Sequence, residues 1–143
     1  MIKKGKTHDF EKLPQILWAA TGNRIRDKES FDTIRNARNA IQHFCAPEKI
    51  DLSKTSLRFI YNVIDPLINE TFGLFAIEYH EDHDIGYDYI VSQLFRQNLK
   101  FSIPPDFEVS EISIREEASS APKAYRKWLE QELTKIGKVH YLK

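Results

Sequence analysis

The chain has 143 residues, with 21 Lys and Arg against 21 Asp and Glu, 41% hydrophobic and 29% charged. That composition belongs to a globular chain with one core, expected as a single domain over 1–143, and argues against disorder. With no net charge any nucleic-acid binding needs a local patch, one cysteine (Cys45) rules out an intrachain disulfide or a multi-cysteine zinc site, and no apolar run approaches the ~20 residues that span a membrane.

The start, "MIKKGKTHDF", has basic residues with no apolar segment behind them, so a cytoplasmic chain with no membrane partner is expected. "FEKLPQILWAAT" (10–21) carries Leu13, Ile16, Leu17 and Ala20 at helical spacing, with Pro14 placed for a first turn. "GNRIRDKES" (22–30) is a polar connection. A second helix is expected from about Ser30, a candidate N-cap, to Phe44, with Pro47 marking its end. Asp51 or Ser53 caps a third helix that puts Leu57, Ile60, Tyr61 and Ile64 on one face and is kinked or split by Pro66. "YDYIVSQLFRQNL" (87–99) spaces Tyr87, Ile90, Val91, Leu94 and Phe95 for a helix. The prolines and the alternation in "KFSIPPDFEVSEISIREE" (100–117) predict an irregular or short extended segment. A last helix is expected over 119–137, with Ser119 or Ser120 capping, Pro122 in the first turn and Gly137 as the stop. The expected fold is an all-α bundle of about five helices with one irregular excursion near 100–117.

The second helix has the most chemically pointed face. At about 100° per residue, Phe31, Ile34, Ala37, Ile41 and Cys45 form an apolar stripe and Arg38 falls on its edge. Gln42, Arg35, Asn39 and His43 continue around a polar face beside it. An arginine presents a permanently charged planar fork that matches phosphate oxygens. A histidine exchanges protons near neutrality, and Asn39 lies one turn before His43, where its amide can orient the imidazole. Metal-free RNA cleavage needs a base for the 2′-hydroxyl, an acid for the leaving oxygen and positive charge at the phosphorane. One Arg and one His supply half of that set, and a symmetric dimer supplies both halves.

"RNAIQH" (38–43) resembles the R-N-x-x-x-H signature of HEPN domains, the higher-eukaryote and prokaryote nucleotide-binding family. The resemblance implies an all-helical, usually dimeric fold. It also implies a metal-independent ribonuclease of toxin–antitoxin or phage-defence type, with RNA as substrate and no cofactor. In that family the motif meets its symmetry mate across a dimer cleft. Carried over, Arg38 contacts the scissile phosphate, Asn39 orients the site and His43 is the acid and base. Arg35 and Gln42 flank them as candidate RNA contacts, and an antitoxin or regulatory protein is an implied partner. Phe44 stands where many members have a small residue. Cys45 stands where the branch with an antitoxin-modified tyrosine has that tyrosine, so the chain departs from that branch. The alternative is a catalytically silent module of the same shape that binds nucleotide, RNA or protein.

Three other features compete with this helix. "EYHEDHD" (78–84) offers His80 and His83 among carboxylates as metal-competent ligands, with a solvated acidic loop as the plainer account. Trp18 and Trp128, with Tyr125 and Leu129, are expected in the core or a dimer interface rather than under bases. Lys123, Arg126, Lys127 and Lys135 alternate with Glu130 and Glu132, which suggests a mixed surface helix and not a nucleic-acid stripe.

Overall fold

A computed structural model describes residues 9–43, 51–79 and 87–143. The described residues are all helix, turn and irregular connection, with no strand, as the apolar spacing predicts. In chain order they form α1 (Leu13–Thr21), α2 (Lys28–Gln42), α3 (Leu52–Phe59), α4 (Asp65–Phe72), α5 (Asp88–Arg96), α6 (Glu111–Ser120) and α7 (Lys123–Lys135). Short 3₁₀ turns cover Phe10–Lys12, Ala76–Tyr79 and Val139–Leu142.

The stretch interrupted by Pro66 is a single rod with a widened centre. α3 passes through one π turn, Ile60–Ile64, directly into α4, and the Asp65 amide donates to the Ile60 carbonyl five residues back. Pro66 falls in the first turn of α4, and the looser five-residue bonding of the π turn before it makes room for a ring that has no N–H to donate, so the helix runs on through it. The widening also turns Tyr61, Val63 and Asp65 into the protein. Asp51 caps the rod by accepting from the Lys54 amide at 3.0 Å, as its position predicts.

The main core lies in the C-terminal half. Leu94 and Phe95 of α5, Ile114 and Ala118 of α6, and Leu129 and Leu133 of α7 meet there, joined by Tyr61 and Ile77. The connection from Leu99 to Ser110 crosses this core without regular structure and delivers Phe101 and Phe107 into it. Phe101 contacts Tyr61, Phe107 and Trp128 with ring centroids 6.5, 6.0 and 5.8 Å apart. Asp65, only 1% exposed, pins the connection from below by accepting from the Ser102 amide (2.6 Å) and the Ala76 amide (3.0 Å). From above, the buried Tyr125 hydroxyl donates to the Leu99 carbonyl at 2.7 Å, and burial keeps that phenol protonated by raising its pKa.

The irregular excursion therefore ends at Ser110, and the "EISI" part of the expected extended segment is the first turn of α6. Ile114 and Ala118 are buried four residues apart, a helical period. The last helix also starts later than the serines suggest. Pro122 holds Ala121 in an extended conformation (ψ 154°), so α6 stops and α7 begins at Lys123. Ser119 and Ser120 end α6, donating back to the carbonyls of Glu116 and Glu117. Gly137 does terminate α7: at φ +73° it lets the Lys138 amide reach back to the Leu133 carbonyl at 2.8 Å.

Candidate functional site

α2 begins three residues before Ser30 would place it. Asp27 is the N-cap: one carboxylate oxygen accepts from the Ser30 amide (2.9 Å) and the other from the Ser30 hydroxyl (2.7 Å). That second oxygen also accepts from Asn62 Nδ2 at 2.9 Å, tying the start of α2 to the π turn. Burial acts to raise the Asp27 pKa, but the Ser30 and Asn62 hydrogen bonds and the nearby Arg58 charge outweigh it and hold the carboxyl below its ordinary range.

The helix is buried at its beginning and open at its end. Ser30, Phe31 and Ala37 are buried against α3 and the π turn, while Arg38, Asn39, Ile41, Gln42 and His43 are exposed. Ile41 belongs to the apolar stripe yet is 53% exposed, so the stripe outruns the surface that covers it. The main chain closes at His43, whose amide donates to the carbonyls of Asn39 (3.1 Å) and Ala40 (3.2 Å). Phe44, Cys45 and Pro47 lie outside the described residues, as do His80 and His83 of the candidate metal pair.

The two arginines of this face have definite surroundings. The Arg38 guanidinium lies over the Phe10 ring, 5.5 Å from its centroid, and Phe10 in turn stacks on Phe31 at 4.9 Å. The arginine is thus steered from below while its fork stays at the surface. Arg35 is turned to carboxylates, with Nη1 3.4 Å from Asp32 and 3.6 Å from Glu11, and its side chain is only 26% exposed. Its charge is largely answered within the chain. Arg38, Asn39 and His43 share one exposed end of one helix, with Gln42 beside them.

Sequence reasoning missed Phe10 and Asn62, two of the side chains that hold this helix in place. Each is distant in sequence from what it touches, and helical spacing cannot report such contacts. It also placed Trp18 and Trp128 in the core or a dimer interface. Trp128 does pack edge-on to Phe101, whereas Trp18 is 52% exposed beneath the Arg24 guanidinium. α1 as a whole buries no residue, and Leu13, Ile16, Leu17 and Ala20 line an apolar groove of about 410 Å³ shared with Phe31, Phe59 and Leu67. No protein-family model, curated protein or solved structure matches this chain, so a functional reading has to come from the residues themselves.

Proposed function

We propose that the chain is a HEPN-like, metal-independent endoribonuclease acting on single-stranded RNA, with its site at the open end of α2. The observation that carries this reading is the joint exposure of Arg38, Asn39 and His43 on that end, with an uncovered Ile41 one turn beyond Arg38. A lone copy offers one proton-transfer group and one phosphate fork there. A second copy packed over the Arg38 and Ile41 side of this end covers the apolar residue and brings a second fork and a second imidazole to it, so the catalytic unit is a homodimer. In the mechanism His43 of one copy takes the proton of the ribose 2′-hydroxyl, and the 2′-oxygen attacks phosphorus. The bond from phosphorus to the 5′-oxygen breaks, giving a 2′,3′-cyclic phosphate, and the leaving oxygen takes its proton from the second copy's imidazolium. Arg38 stabilises the charge on the phosphorane oxygens, and Asn39 orients His43. The setting suggested by this chemistry is a toxin or defence enzyme restrained by an antitoxin or other regulatory protein. The direct test is cleavage of labelled RNA by purified protein in EDTA, with His43→Ala as the control. Absence of cleavage, or cleavage that His43→Ala leaves unchanged, refutes it.

A second reading has its own observation. Arg38 already has a structural occupation over Phe10, as expected of a silent helical module that binds RNA or protein through this face without cutting it. In that case Arg38→Ala weakens binding while His43→Ala leaves it nearly intact.

A further inference from the structure

We propose that the groove between α6, α7 and the final 3₁₀ turn is a second site, separate from the end of α2, that holds the phosphodiester backbone of a single-stranded nucleic acid. The groove has a volume of about 690 Å³ and a floor of Ala118, Val139 and Leu142. Its walls carry Arg115, Lys123, Arg126, Lys127 and Lys143, with Glu130 as the one side-chain carboxylate in the lining.

This concentration is not what the local charge predicts. Residues 72–143 hold 9 Lys and Arg against 12 Asp and Glu. Four of those nine cations are engaged: Arg96 with Glu117, Lys135 with Glu132, Lys138 with the Phe107 carbonyl and Lys100 over Trp128. The other five all line the groove, and none of them forms an ion pair among the described residues. The helical period explains how an acidic half builds a basic groove. Lys123, Arg126, Lys127 and Glu130 share one face of α7, while Glu117 and Glu132 point to partners elsewhere.

The lining also selects among anions. Lysine and arginine only donate hydrogen bonds, and the charged part of a phosphodiester only accepts them. A peptide backbone laid in the groove brings donors as well, for which Glu130 and the Ser119 hydroxyl are the only side-chain acceptors in the lining. A membrane surface is not concave. The aliphatic floor tolerates sugar and base faces, and the volume takes a short run of single strand rather than a duplex.

The test is fluorescence anisotropy with a labelled, 2′-O-methylated oligouridylate, which cannot undergo 2′-hydroxyl attack, so binding is read apart from cleavage. Expected are affinity that falls with salt, a loss of about tenfold or more in Arg126→Glu/Lys127→Glu, and tighter binding in Glu130→Gln. Binding that both variants leave unchanged, or no binding, overturns the proposal. Displacement of the oligonucleotide by a polyglutamate peptide at equal charge also overturns it, in favour of an acidic protein partner. The α2 reading stands or falls on cleavage, so either proposal can fail alone.

Discussion

The Asp27 carboxylate caps α2 and, through the same oxygen that takes the Ser30 hydroxyl, accepts from Asn62 Nδ2 at 2.9 Å. The start of the candidate catalytic helix is therefore fixed to the π turn of the α3–α4 rod, and the exposed end of α2 inherits its direction from that joint. Asp27→Ala removes the cap and the link together and is expected to cost about 1–2 kcal/mol in urea unfolding. Asn62→Ala should cost less, because the cap to Ser30 survives.

Asp27 also makes a prediction in pH. Its folded pKa is depressed, so its contribution is fully present above the ordinary carboxylate value of 3.8 and is lost as pH falls through the folded pKa. Asp27→Asn keeps an oxygen for the cap but cannot titrate. Thermal melts below pH 4 should therefore show a shallower acid-side loss for Asp27→Asn than for the parent.

Asp65 is expected to behave in the opposite sense. Burial raises its pKa against the amides of Ala76 and Ser102 and the Ser102 hydroxyl, which pull it down. A raised folded pKa means that the favourable contribution is complete below 3.8 and declines as pH rises through the folded value. Asp65→Asn removes that decline and keeps one acceptor oxygen, but sets its donor NH2 against the other of the two backbone N–H groups. We expect a net loss of about 1–3 kcal/mol at neutral pH. Urea titrations from pH 4 to pH 7 check both parts, and a variant with an unchanged slope contradicts the assignment.

These two aspartates mark what the sequence could and could not reveal. Spacing located α5 and α2 because their apolar residues recur every three or four positions, and Asp51 and Gly137 were legible because caps and stops act locally. Asp65 was not legible, because its partners lie 11 and 37 residues away on segments without a pattern. The "EVSEISI" stretch misled because two or three apolar residues fit either period, and only Ala118 further on supports the helical one. The α2 face was visible as a set of residue types. Its exposure at one end, which depends on where the neighbouring elements stop, was not.

Arg38 has two possible duties, and they separate experimentally. Phe10→Leu removes the aromatic face beneath the guanidinium while keeping an apolar contact with Phe31. An exposed cation–π contact is worth about 0.5–1 kcal/mol, so the expected change in stability is of that order. If Arg38 acts at the phosphate, Phe10→Leu keeps most of the RNA cleavage and Arg38→Ala loses roughly a hundredfold or more. Equal losses in the two variants mean that Arg38 only supports the fold.

Ile41 tests the dimer on which the proposed chemistry depends. It is half exposed on the last full turn of α2, one turn from Arg38 on the same side of the helix, so a second copy that packs against that side covers it. A charge placed there is solvated in a lone copy and desolvated in the dimer, where an unpaired buried charge is strongly unfavourable. Ile41→Asp should therefore leave the monomer's fold nearly unchanged by circular dichroism and urea unfolding. Sedimentation velocity should show the dimer giving way to monomer, and RNA cleavage should fall with the dimer fraction. Full cleavage by a monomeric Ile41→Asp protein would show that one copy of α2 suffices. A parent protein that is monomeric at working concentration and still cleaves would show the same. In either case the acid that protonates the leaving oxygen has to come from elsewhere in the same chain.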